Sequence, residues 1–254
     1  MHIIERNPNL KYTRDIQQEK RLIVLSWLLE FQFSSPRILA RLLAQPQTST
    51  SRFFAKLLEQ RFIRTFDNVH TNRERLFMLD RNGVESLMVR EIDTSKACIN
   101  PHVLSRSSSI LHDQDVQLCI IHQLDQYTEV VCGKNRPQID ADAHPNALVK
   151  STKGHWIALV YERYRKSSSR INHLFYRYAQ GIAQGHYHGI CWYFYSHKDM
   201  LFYKKLFDSD RWPVVSKNPK TGKLIPTDKD YMPAEIQHLR SRFSFAVLDD
   251  DMAM

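Results

Sequence analysis

The 254-residue chain predicts an α+β protein in which an N-terminal winged helix-turn-helix unit precedes an α/β domain with a mixed sheet. Three patterns predict it. Three short amphipathic segments and two β-prone runs fill residues 1–95, a Ser-rich irregular stretch (DTSKACINPHVLSRSSS) follows, and the remainder alternates helical with apolar strand-like segments. The expected division is a first domain over 1–95, a linker over 96–109 and a second domain over 110–254.

In the first domain, DIQQEKRLIVLSWLLEF places Ile16, Ile23, Trp27 and Leu28 at helical spacing. SSPRILARLLAQ reads as a second helix, with Ser35 as N-cap and Pro36 at the first helical position, where its missing N–H does no harm. SRFFAKLLEQRF reads as a third, with Phe54, Leu57 and Leu58 inward. The β-prone runs Phe62–Phe66 and Arg75–Leu79 flank a polar loop holding Asn68, His70, Thr71 and Asn72, the pattern of a wing; a helix from Gly83 to Ile92 closes the unit, its glycine marking the turn. Ser51, Arg52 and Lys56 on the outward face of the third helix are the expected major-groove contacts, and Arg73 and Arg75 the expected phosphate contacts. Winged helices also serve as protein-interaction modules, and basic residues also solvate a surface.

The second domain opens with ILHDQDVQLCIIHQLDQY, a buried helix whose early His112, Asp113 and Asp115 either cap it or point into a site. TEVVCG and WIALVY read as strands. SSSRINHLFYRYAQGIAQ reads as a helix with Ile171, Leu174, Phe175 and Tyr178 on one stripe, and HGICWYFYS as a strand buried on both faces. KDMLFYKKLF is a further helix, RWPVVSKNPKTGKLIPTDKD has no assignable order, MPAEIQHLRSRF suits a last short helix, and LDDDMAM a loose end.

A hydrophobic fraction of 43% with 11% aromatic residues excludes a disordered chain. No run is apolar for long enough to span a bilayer, and MHIIERNPNL is polar, so the expected location is cytoplasmic, without membrane insertion. Cys98, Cys119, Cys132 and Cys191 form no close pair, which points to reduced core thiols rather than a zinc knuckle or redox motif. The net charge of +9 favours a polyanionic partner.

The stretch from Asn135 to Tyr178 carries the chemistry. It sets Asp140 and Asp142 just after Pro137, and its apolar run WIALVY delivers Glu162, a carboxylate that needs a cationic partner away from water. If the strand continues, Glu162, Tyr164 and Lys166 share a face, because strand side chains alternate. Two acids with a lysine suit metal-assisted phosphodiester cleavage: carboxylates hold the ion, and the ammonium offsets charge developing at the phosphate. The plainer reading makes the aspartates turn residues and Glu162, followed by Arg163, Arg165 and Lys166, half of a surface ion pair.

In order along the chain, RLIVLSWLLEFQFSS, RFFAKLLEQRFIR, RLFMLDRNGVESL, LHDQDVQ, RPQIDADA, ALVYERYRKS and INHLFYRY resemble the replication-relaxation proteins, in particular MobC-type relaxases of mobilisable plasmids, over residues 15–200. The resemblance implies a restriction-endonuclease-like PD-(D/E)xK domain, with Asp142 as first acid, Glu162 as second, and Mg²⁺ or Mn²⁺ bound between them. It implies a nickase that cuts one strand at a plasmid transfer origin to start conjugative mobilisation. Double-stranded DNA at that origin, an accessory mobilisation protein and a type IV coupling protein are the implied partners. The chain departs from the pattern at the third catalytic position: Tyr164 stands two residues after Glu162, and Lys166 is the nearest lysine. Asp140 competes for the first-acid role. Relaxases commonly attack through a tyrosine, for which Tyr176 and Tyr178 are candidates, with Tyr164 a further candidate catalytic residue, although aromatic residues at helical spacing also build cores.

Two competing readings differ in class. His186-Tyr187-His188 has the shape of the metal motif of HUH-type nickases, since alternate strand residues share a face. A winged-helix initiator or accessory factor without catalysis needs the basic face and not the carboxylates.

Overall fold

In the computed structural model, which describes residues 1–3, 12–72, 74–135, 144–218, 220–221, 223–231 and 240–248, the first amphipathic stretch forms helix α1 (Thr13–Phe31) and buries Ile23, Val24, Trp27, Leu28 and Phe31. Helix α2 (Pro36–Leu42) starts as its sequence dictates: Ser35 Oγ accepts the Ile38 N–H at 3.3 Å, and Pro36 occupies the first turn. Helix α3 (Gln47–Glu59) begins a turn earlier than expected. Ser49 Oγ donates to the Pro46 carbonyl at 2.8 Å and Thr50 Oγ1 to that of Gln47 at 2.9 Å, so the polar run folds into the first turn. Phe54 and Leu57 are buried, Leu58 only in part.

Strands β1 (Ile63–Asp67) and β2 (Arg75–Leu79) pair antiparallel, from Ile63 opposite Leu79 to Asp67 opposite Arg75. Ser34 adds a short bridge, exchanging backbone bonds of 2.9 and 2.8 Å with Phe77. Helix α4 (Arg81–Met88) follows, with the Asp80 carboxylate accepting the Arg81 N–H at 2.8 Å. Gly83 lies inside this helix rather than at a turn before it, for a steric reason: a Cβ there would come within 2.1 Å of the Phe62 carbonyl oxygen.

The chain divides into two compact units, residues 1–135 and 136–254, so the division expected at 96–109 moves downstream. Helix α5 (Pro101–Leu104), helix α6 (Ile110–His122) and strand β3 (Tyr127–Cys132) all belong to the first unit. The supposed linker is packed: Leu104 and Ile110 share a core with Phe33, Phe66, Leu76 and Met78. Asn68 Nδ2 reaches back from the β1–β2 loop to the carbonyls of Leu104 (2.7 Å) and Ser107 (3.1 Å). Glu30, buried on α1, pairs with Lys96 and accepts the Cys132 N–H at 2.7 Å. Gln117 of α6 is fully buried, accepting the indole N–H of Trp27 at 2.8 Å and donating to the Phe33 carbonyl at 3.0 Å. Asp113 lies in the first turn of α6, where an acid favours the helix N-terminus, accepts from Ser109 Oγ and pairs with Lys134.

In the second unit, β4 (Ala147–Ser151) and β5 (Trp156–Glu162) form an antiparallel pair. Helix α7 (Ser168–Ala183) then leads to β6 (Gly189–Phe194), which runs parallel to β5. Strand β9 (Phe243–Val247) lies parallel to β6 on its other side, completing the order β4-β5-β6-β9 in a mixed sheet. Helix α8 (His197–Phe207) and an antiparallel hairpin, β7 (Trp212–Lys217) and β8 (Leu224–Tyr231), lie between β6 and β9 in the chain. The unit's core is aromatic. Trp192 of β6 meets Phe175, Tyr178 and Tyr203 edge-on at centroid distances of 5.4, 5.4 and 5.6 Å and stacks on Phe245 at 6.2 Å.

All four cysteines are free thiols. The helix expected over MPAEIQHLRSRF and the loose end LDDDMAM fall mostly outside the described residues, and Phe243 at the close of the former begins β9. Among the described residues no helix is long and apolar enough to cross a membrane.

The Gln117 contacts generate a stability prediction. Gln117→Leu keeps the volume but strands the Trp27 N–H and the Phe33 carbonyl in a buried site, so urea denaturation should show a loss of about 3 kcal/mol; an unchanged midpoint would show that α6 is not held by these bonds.

Candidate functional site

The first unit carries a groove between α1 and α3. The amphipathic pattern of α1 buries its second half, leaving Arg14 and Gln17 exposed and Gln18 and Arg21 half-buried toward its start. On α3, burial of Phe54 and Leu57 turns Arg52 and Lys56 outward and leaves Phe53 half-buried. Together these residues enclose about 740 Å³. The lining holds four cations, Arg14, Arg21, Arg52 and Lys56, alongside the amides of Gln17, Gln18 and Gln60, and no carboxylate. Among the described residues none of the four is in an ion pair.

Like charges so placed repel one another unless an anion joins them. The Arg21 pKa is pulled down from the usual guanidinium value by burial first and then by the charge of Arg90, which does not line the groove, and its guanidinium sits over the Phe62 ring at 4.5 Å. Ser51 is exposed on α3, its hydroxyl donating to the Gln47 carbonyl at 3.2 Å, and it does not line the groove. Arg75 is exposed opposite Asp67, an arrangement that offsets its charge. Arg73 lies outside the described residues. In the loop between β1 and β2, Asn68 and Thr71 are buried and serve the turn itself, while Val69 is 75% exposed at its tip.

The second unit buries Glu162 at the C-terminal end of β5 because the apolar strand carries it inward; its side chain is 6% exposed. The strand ends there, so the alternation expected to bring Tyr164 and Lys166 onto its face does not apply. Tyr164 instead is 76% exposed. The following turn folds Lys166 back, and its ammonium pairs with the Glu162 carboxylate. Burial pushes the Glu162 pKa above the ordinary glutamate value, with Lys166 opposing that shift. Tyr203 of α8, fully buried, accepts the Lys166 backbone N–H at 3.3 Å; burial, and then the Glu162 charge, push its phenol well above the usual tyrosine range. Arg165 pairs with Asp199 in the first turn of α8, at 2.6 and 2.7 Å.

Asp140 and Asp142 lie outside the described residues, so of the three expected catalytic groups the structure brings together two, Glu162 and Lys166. Among the described residues no group of three or more His, Cys, Asp and Glu side chains could hold a metal. A hard divalent cation takes several oxygen ligands. Glu162 supplies a carboxylate of the right kind.

Tyr178 is 2% exposed and packed against Trp192, its hydroxyl 3.5 Å from the His144 carbonyl; it builds the core and does not face a ligand. Tyr176 accepts from Gln180 Nε2 at 2.7 Å and meets the Tyr231 ring edge-on. The His186-Tyr187-His188 triplet lies in the turn before β6, not in a strand, so the shared-face argument fails there. Tyr187 is buried beside Gly181, while the His188 ring stacks on His155 at 4.1 Å.

Sequence reasoning missed Arg14, Gln17, Gln18 and Arg21, although their spacing of three and four along α1 puts them on one face. It also missed Tyr203 and Asp199, which sit more than 30 residues from the groups they touch, a separation that no local pattern spans.

The Glu162 environment sets a pH dependence. A carboxyl whose folded pKa is raised contributes stability that is full below its unfolded value and lost as pH rises through the folded value. Glu162→Gln should therefore gain unfolding free energy relative to wild type as pH climbs from below the ordinary glutamate range to neutrality, measured by urea denaturation at stepped pH. A difference that stays flat or reverses would remove the assigned burial effect. Comparison of the chain with protein-family models, with curated proteins and with solved structures finds no match.

Proposed function

We propose that the chain is a DNA-binding protein whose first unit is a winged helix, with α3 as recognition helix and the β1–β2 loop as wing. The observation that carries this reading is the groove beside α3, lined by Arg14, Arg21, Arg52 and Lys56 without a carboxylate. Phosphates are the natural counter-charge for such a lining, and a net charge of +9 draws the chain toward them. The order α1-α2-α3-β1-β2, with Ser34 bridging to β2, supports the winged-helix assignment. Duplex DNA is the ligand, and the resemblance to MobC-type relaxases supplies a plasmid transfer origin as its source, with an accessory mobilisation protein and a type IV coupling protein as further partners.

Fluorescence anisotropy on labelled duplex tests this. Removing one phosphate-binding cation should lower the slope of log affinity against log salt by about 1. Arg52→Ala with Lys56→Ala should weaken binding about tenfold at moderate salt and lower the slope by about 2. An unchanged slope would reject the groove as the phosphate-binding surface.

A second reading adds strand cleavage, favoured by one observation: a buried carboxylate with a lysine partner stands at the C-terminal end of β5, beside parallel β6. Ligands of α/β sheets gather outside the carboxyl ends of their strands. In this reading the protein is a relaxase-type nickase with Mg²⁺ or Mn²⁺ as cofactor, Glu162 and the sequence-assigned Asp142 as ligands, and the ion supplies Lewis acidity to the scissile phosphate. Lys166 balances the Glu162 charge and offers an ammonium to the phosphate oxygens.

Supercoiled plasmid incubated with the protein and Mg²⁺ or Mn²⁺ should relax to open circles. Glu162→Gln and Lys166→Ala should each abolish this while leaving duplex affinity intact. Nicking that survives both changes would leave DNA binding as the whole function.

A further inference from the structure

The turn after β5 leaves the sheet at Glu162 and returns the Lys166 ammonium to that carboxylate, with residues 163–167 outside any strand. Helix α8 holds the turn, through Asp199, Phe202 and Tyr203, whose spacing of three and four puts them on one face. Asp199 Oδ1 accepts from Arg165 Nε at 2.7 Å and lies 2.6 Å from Arg165 Nη2. The same guanidinium sits 4.5 Å from the Phe202 ring centroid. One residue on, the Tyr203 hydroxyl accepts the Lys166 N–H at 3.3 Å. Consecutive residues of the turn are thus fixed by one helical face.

That face is itself anchored. Tyr203 is fully buried, its ring edge-on to Phe194 at 4.8 Å and to Trp192 at 5.6 Å. At the far end of α8 the Phe207 carbonyl accepts Trp212 Nε1 at 3.1 Å and Arg240 Nη2 at 2.6 Å. Stability does not account for the Arg165 contacts, because a part-exposed ion pair contributes about 0–1 kcal/mol. Their effect falls on the next residue. Lysine carries its charge on a flexible four-carbon stem, so where the ammonium rests depends on where the stem begins.

We infer that α8 positions Lys166 on Glu162, with Asp199 and Tyr203 as positioning residues and Phe202 as the ring that keeps Arg165 in place. The inference rests on the strand-cleavage reading, in which the Lys166 ammonium offsets charge developing at the scissile phosphate. A cation already in place does this without reorganising as the charge develops, and it stays in place when its supporting side chains are themselves locked. Asp199 and Tyr203 touch neither substrate nor ion; they act through Lys166.

The test uses the full chain and reads both exchange of the Lys166 amide hydrogen and nicking of supercoiled plasmid with Mg²⁺. Asp199→Asn should speed that exchange about tenfold, and lower kcat about tenfold with KM, duplex affinity and melting curve unchanged. Asp199→Glu, which keeps the carboxylate, should recover kcat toward wild type. Arg165→Ala should match Asp199→Asn, and the two changes together should cost no more than either, since both break one contact. Tyr203→Phe, which keeps the buried ring, should lower kcat at constant KM. The inference is overturned if Asp199→Asn leaves either the exchange or kcat as in wild type. It is overturned too if Arg165→Ala weakens duplex binding while Asp199→Asn does not, which would make Arg165 a DNA contact. A wild-type chain that leaves the plasmid supercoiled rejects the cleavage reading, and the exchange readout then decides by itself whether α8 fixes the turn.

Discussion

A carboxylate at the end of an apolar strand has to meet a cation, and the second unit is arranged so that Glu162 does. Its strand, β5, is paired on both sides, antiparallel to β4 and parallel to β6. The hydrogen-bonded register therefore fixes how far inward Glu162 is carried. Breaking a buried pair by removing one partner costs about 3–5 kcal/mol, whereas the intact pair adds little. The turn after β5 is constrained accordingly: it has to bring Lys166 back to Glu162 while Tyr203 accepts the Lys166 N–H. That constraint, rather than strand alternation, is what throws Tyr164 out to solvent.

The first unit follows the opposite electrostatic rule. One of its buried carboxylates, Glu30, is matched by Lys96 and the Cys132 N–H and knits together segments far apart in sequence. The cations of α1 and α3 are left without acids among the residues that line their groove. Among the described residues Arg21 is half-buried and Arg14, Arg52 and Lys56 are exposed, and none of the four is in an ion pair.

Much of this was legible in the sequence. The three N-terminal helices, the β1–β2 hairpin, the apolar strand ending at Glu162 and the both-face burial of β6 all follow from periodicity, capping and β-branched or aromatic runs. The need of Glu162 for a cation was legible too, since it depends only on an acid closing an apolar run. The membership of α6 was not: an apolar helix says that it is buried, not against which core, and the packing of Ile110 with Phe33 and the Gln117 bonds to Trp27 and Phe33 decide it. The hairpin of β7 and β8 was hidden by Pro213 and Pro226, which argue against strands and are tolerated here beside an irregular register. Strand β9 was hidden because its partner, β6, lies some 50 residues away, Phe243 opposite Ile190.

The tyrosines show why residue type alone could not place the site. Tyr178 sits on the apolar stripe of α7, where every helical turn adds a buried contact, and its ring completes the cage around Trp192. Tyr164 sits in a turn between two arginines, where nothing apolar is within reach along the chain and the backbone is committed to returning Lys166 to Glu162. The same side chain is thus core in one setting and a surface ring in the other, and the deciding variable is the local backbone path. Because that path is set by the Glu162–Lys166 pair, removing the pair would disturb Tyr164 before it disturbed Tyr178. The electrostatics of the strand end and the exposure of the ring beside it are one structural decision.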